Sequence, residues 1–85
     1  MVEVNKWTGD MDDDCTLKTE DGYVAHAEAM DDDWWYCAVR HGDIDSLVII
    51  RDVFHSTSHD VQPLTGEAAR ALCQVVIDAD RYRRS

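Results

Sequence analysis

Apolar and polar residues alternate at two-residue spacing through most of the first 54 positions, and the spacing then turns helical. Val2-Glu3-Val4-Asn5-Lys6-Trp7-Thr8 alternates weakly and is rich in strand formers, which predicts a short strand broken by Gly9 and the aspartates after it. Cys15 to Thr19 alternates again and closes on Glu20-Asp21-Gly22. Asp-Gly between two alternating segments is a hairpin signal, because both residues tolerate positive φ. Beyond it Tyr23, Ala25, Ala27 and Ala29 share one face, and Val24, His26, Glu28 and Met30 share the other. Small residues on one face suit close approach of a helix. An alanine-rich helix competes for this segment, but the Asp-Gly start and the Asp31–Asp33 end favour a strand.

Trp34 to Arg40 predicts a further strand, with Trp35, Cys37 and Val39 on one side and Trp34, Tyr36, Ala38 and Arg40 on the other. His41 to Ser46 reads as a turn. Leu47 to Phe54 begins apolar on both faces, which predicts a central or doubly covered strand. Residues 55–63 are polar and breaker-rich, a loop. Thr65 suits an N-cap, Glu67 the first turn, and Arg81, Arg83 and Arg84 the last. Between them Ala68, Ala71, Leu72, Val75, Val76 and Ala79 recur at helical spacing and predict an amphipathic helix over about 65–82.

The expected fold is α+β over a single domain, 1–85. A three- or four-stranded antiparallel sheet lies within about 2–54, and one C-terminal helix packs across one face. The other face must then be polar or meet something, and it offers a route to a homodimer. At 85 residues and 45% hydrophobic content, there is enough apolar surface for one core and no room for two. Three cysteines, Cys15, Cys37 and Cys73, lack framework spacing and sit in apolar stretches, so they read as buried free thiols. No basic-apolar leader opens the sequence and no run nears 18 apolar residues, so a cytoplasmic protein away from membranes is expected.

Charge changes the picture most. Fourteen residues are aspartate and four glutamate, against eight lysines and arginines, for a formal charge of -10. Such a field draws basic surfaces and cations and repels nucleic acid, which excludes direct nucleic-acid binding. The aspartates cluster as Asp10, Asp12, Asp13 and Asp14, as Asp31, Asp32 and Asp33, and as Asp43 and Asp45. On an extended chain alternate residues lie about 6.7 Å apart, so Asp10, Asp12 and Asp14 would space carboxylates like successive phosphates. Against this stands the plainer use of aspartate in turns. Asp31 to Asp33 abut Trp34, Trp35 and Tyr36, residue types enriched at interface hot spots.

Other chemistry finds little support. Asp10-Met11-Asp12-Asp13-Asp14-Cys15 opens like a calcium loop, but Cys15 stands where glycine is needed and Asp21 where a bidentate glutamate is. Cys37 and His41 would lie about 13 Å apart on a strand, too far for one zinc ion. His55-Ser56-Thr57-Ser58-His59 lacks a nucleophile elbow, and no Gly-rich phosphate loop occurs. Neither enzymatic activity nor a cofactor is expected.

In size, charge and layout the chain resembles phage-encoded inhibitors of bacterial defence, the anti-CRISPR and anti-restriction decoys, without sharing a motif with them. The resemblance implies a non-enzymatic protein that occupies a basic, nucleic-acid-binding surface of a larger host complex. Asp10, Asp12, Asp13, Asp14, Asp31, Asp32, Asp33, Asp43 and Asp45 would supply charge, and Trp34, Trp35 or Tyr36 the anchor. Two rivals remain: a salt-adapted domain whose charge serves solubility, and a small metal-binding module.

Overall fold

The structure, a computed structural model, describes residues 4–31, 33–43, 48–56 and 62–84. Five strands follow one another as β1 (Lys6–Asp10), β2 (Asp14–Lys18), β3 (Tyr23–Ala29), β4 (Trp35–Asp43) and β5 (Val48–His55), then one helix, α1 (Gly66–Arg84). Each strand pairs antiparallel with the next, giving an open sheet in the order β1-β2-β3-β4-β5. The fold is α+β as expected, with five strands rather than three or four, because both outer segments join as edges.

Local chemistry sets the hairpins. Gly9 does not end β1. Its φ of +102° and the 2.7 Å that a Cβ would leave to the Asp14 carbonyl show that glycine keeps the strand going there. The Asp12 N–H donates to the Asp10 carboxylate at 2.9 Å and the Asp13 N–H to the Asp10 carbonyl at 3.1 Å, an Asx-type turn. At the next hairpin the Gly22 N–H donates to the Thr19 carbonyl at 3.1 Å with φ +95° at Gly22, a tight turn closed by a left-handed glycine.

The register lays Trp7, Leu17, Ala25, Val39 and Phe54 across one face, with Cys15, Ala27 and Cys37 in the adjoining row. The helix packs on this face, over β3 and β4. Ala25 and Ala27 are fully buried, and their small side chains let α1 approach. Burying Leu17, Val39 and Ile77 contributes about 1.5–3 kcal/mol each. All three cysteines are free and buried, as the sequence suggested.

Helix α1 is capped as expected: the Ala68 N–H donates to the Thr65 hydroxyl at 3.0 Å. Its buried stripe is in a different phase. Ala69, Cys73, Ile77 and Asp80 are buried with Leu72 and Val76 partly so, while Ala68, Ala71, Val75 and Ala79 are exposed. The expected stripe avoided Asp80, yet the phase that includes it buries the larger Ile77 and Cys73, and partners on the sheet satisfy the carboxylate.

Two further expectations are corrected. The strand β4 continues through His41 and Gly42 to Asp43, where a turn was read. Strand β5 is an edge strand, not a central one: Val48, Ile49 and Ile50 are 56%, 59% and 68% exposed. Register irregularities between Val39 and Arg40 and between His41 and Gly42 twist its pairing with β4. The face opposite α1 carries Lys6, Lys18 and Arg40 with Asp10, Asp14, Glu28 and Asp52, so it is polar rather than apolar. Among the described residues no helix is long and apolar enough to cross a membrane.

Candidate functional site at the acidic end of the sheet

Because the sheet is a meander, alternate turns share an end. The β1–β2 turn at 11–13 and the β3–β4 connection at 30–34 meet, tied by the Ala29 N–H donating to the Asp13 carbonyl at 2.7 Å. Asp10, Asp12, Asp13 and Asp14 therefore stand beside Asp31 and Asp33, all exposed, with Glu28 half-buried below them. Asp33 takes a φ of +60°, a conformation aspartate tolerates, and the Met30 N–H closes the connection on the Trp34 carbonyl at 2.8 Å. Asp10 to Asp14 fold around a turn instead of running extended, so the phosphate-like spacing is not formed. The carboxylates fan from two adjacent loops.

The remaining candidates separate. Trp35 lies in the core at 8% exposure, its ring 2.9 Å from where a Cβ on Gly66 would sit, and it seats the start of α1. It is not an anchor for a partner. Trp34 and Tyr36 are half-buried, and Tyr36 pairs in register with Glu28 on the open face. Asp43 ends β4 at the opposite end of the sheet. Asp32 and Asp45 lie outside the described residues.

Most basic residues gather at the far end, around the C-terminus of α1; Arg70 is the exception, donating to the Met11 carbonyl at 2.9 Å in the acidic β1–β2 turn. Every arginine–carboxylate pair among the described residues lies there: Arg81 with Asp21 and Asp78, and Arg51, Arg83 and Arg84 with Asp80. Asp80 is buried and accepts the Tyr23 hydroxyl at 2.5 Å. That hydroxyl, with Arg51 and Arg84, holds the Asp80 carboxyl well below the usual carboxylate range despite its burial. Arg81, bonded to Asp21 through both Nε and Nη2, does the same to Asp21. Burial and the Asp80 charge push the Tyr23 phenol up. Tyr23, His41, Asp21, Arg81 and Arg84 line an open cavity of about 400 Å³, whose charges are already paired.

No catalytic arrangement forms from the candidate histidines and serine within the described residues. Ser56 is buried, and its Oγ accepts the Cys37 N–H at 2.9 Å. His55 sits 3.0 Å from Asp52, and His41 stacks edge-on against Tyr23 at 4.7 Å. Cys37 and His41 do not come together, since Cys37 faces Cys73 in the core. A hydrogen bond between the two free thiols lowers the Cys37 pKa, while the same hydrogen bond and burial push the Cys73 thiol up.

One cluster the sequence reading did not assemble lies beside the acidic loops. Asp14, His26 and Glu28, from β2 and β3, present one ligand-type atom each within 4.8 Å of one another. Counting outward from the Asp21-Gly22 hairpin pairs Asp14 with Glu28, so the signal was present.

No protein-family model matches the chain, and neither a curated protein nor a solved structure does.

Proposed function

We propose that the protein is a non-enzymatic acidic binding protein whose β1–β2 turn and β3–β4 connection dock on a basic surface built for nucleic acid. The observation that carries this reading is the separation of charge. Asp10, Asp12, Asp13, Asp14, Glu28, Asp31 and Asp33 collect at one end, while the arginine–carboxylate pairs of the described residues lie at the other. A basic partner would be steered by this field and met in one orientation. Trp34 and Tyr36, half-buried beside the acids, supply the apolar contact. The partner is the nucleic-acid channel of a larger host complex, and the protein acts there as a nucleic-acid mimic and inhibitor in the cytoplasm, in the manner of phage anti-CRISPR or anti-restriction decoys. No cofactor, membrane or direct nucleic-acid contact enters this reading.

The test is capture of the host complex at low salt, followed by competition. Bound complex should be released by added DNA or RNA, and its affinity should fall at least about tenfold between 0.05 and 0.5 M salt. Asp31→Lys with Asp33→Lys should abolish binding and leave the circular dichroism spectrum unchanged, whereas Asp43→Lys at the opposite end should leave binding intact. Equal effects of the two reversals would show that only bulk charge matters, and unchanged binding in both would refute the docking surface.

A further inference from the structure

The hairpin of β2 and β3 places Asp14 directly opposite Glu28, with His26 on the same face two residues before Glu28. Like charges in directly opposed positions destabilise a sheet. No arginine among the described residues pairs with either. The group between them is the His26 ring. Its Nε2 lies 3.1 Å from Glu28 Oε1 and 3.4 Å from Asp14 Oδ1. Its Nδ1 lies 3.4 Å from the Thr16 hydroxyl, on the other side of the ring.

We propose that Asp14, His26 and Glu28 form a binding site for a zinc-class divalent ion. Zinc takes nitrogen and carboxylate ligands at about 2.0–2.2 Å in a tetrahedron, so ligand atoms stand about 3.3–3.5 Å apart. The 3.4 Å from Nε2 to Asp14 Oδ1 matches that edge length, and the 3.1 Å to Glu28 Oε1, a hydrogen bond in the absence of an ion, would open by about 0.2–0.4 Å. The third, between the carboxylates, is within 4.8 Å and closes by a shift of about 1 Å. The side chains of Asp14 and Glu28 are 54% and 44% exposed, so they can turn inward without disturbing the core. Thr16 accepting the Nδ1 proton would fix the tautomer that leaves Nε2 as the ligand, the arrangement by which metal-binding histidines are oriented. A nitrogen ligand selects against calcium and magnesium, which take oxygen donors. With three protein ligands that are partly exposed, water would take the fourth position. Neighbouring Asp10 and Asp12 raise the local cation concentration without joining the set.

Isothermal titration of the untagged full chain with zinc chloride, with calcium chloride as comparator, tests the site. The expected result is one zinc per chain, saturable in the micromolar range, with no saturable calcium heat. Zinc at about 100 times the Kd should raise the melting temperature by roughly 10–20 °C. His26→Ala and Glu28→Gln should each weaken zinc at least tenfold, and Asp12→Asn should not. Circular dichroism establishes that each variant folds, and loss of the His26 ring signals on zinc addition in proton–nitrogen spectra reports the ligand directly. Absence of saturable zinc binding, equal binding of zinc and calcium, or binding that survives His26→Ala overturns the proposal. None of these outcomes bears on the docking surface, whose partner and salt dependence are read without metal.

Discussion

Replacing Asp80 with alanine removes the acceptor on which the Tyr23 hydroxyl and the Arg51 guanidinium converge. Tyr23 and Asp80 are each 1% exposed, so water does not take the acceptor's place. The orphaned hydroxyl then costs about 1–3 kcal/mol. The Arg51 side chain is 41% exposed, and solvent reduces its share to about 0–1 kcal/mol. The sum is about 1–4 kcal/mol, against roughly 4–13 kcal/mol for a domain of 85 residues. With a urea slope of about 1 kcal/mol/M, the unfolding midpoint should fall by about 1–4 M, followed by tryptophan fluorescence. In the Asp80→Ala background, Tyr23→Phe should lose most of its own effect, because the bond it breaks is already gone. The pH dependence has a definite sign. Asp80 has a depressed folded pKa, so its stabilisation is present above the unfolded value near pH 4 and is lost as pH falls below it. Asp80→Asn should flatten the acid limb of the stability profile below about pH 4. A midpoint shift under about 0.5 M, or strictly additive effects of the two substitutions, would mean that the Tyr23–Asp80 bond does not carry this stability.

Three other outcomes follow from burial and backbone geometry. Trp35→Ala should cost about 3–5 kcal/mol in urea unfolding, since the ring seats the start of α1, while Trp34→Ala should cost less than about 1 kcal/mol and act on partner binding instead. Gly22→Ala should destabilise by about 1–3 kcal/mol by thermal melting, because φ is +95° and the new Cβ would meet the Gly42 carbonyl at 2.5 Å. Cys15, Cys37 and Cys73 should resist a thiol reagent in the folded protein and react together in urea, at a rate set by unfolding.

Much of the frame was legible along the chain because it depends on local signals. The Asp21-Gly22 turn, the alanine face of β3, the Thr65 cap and the three buried thiols each follow from a few neighbouring residues. The errors share a cause as well. Val48, Ile49 and Ile50 looked doubly covered because hydrophobicity does not say whether a further strand exists to cover them. The stripe on α1 was read out of phase because the spacing of apolar residues alone does not show that a buried carboxylate, Asp80, finds partners on the sheet. Trp34 and Trp35 could not be told apart until the helix occupied one side of β4.

A strongly acidic α+β chain, the Asp21-Gly22 hairpin and the terminal helix were written in the sequence, since charge, turn chemistry and periodicity are properties of short segments. Which aspartates stand side by side depends instead on how the strands pair. Asp10 to Asp14 are separated from Asp31 and Asp33 by two strands in sequence but share an end with them, because a meander brings alternate turns to one side. Asp43 is as acidic and lies at the other end for the same reason. Asp80 was one more aspartate in the sequence. Packing placed it between Tyr23 and Arg51, where a desolvated carboxylate is stable because long-range partners complete its hydrogen bonds.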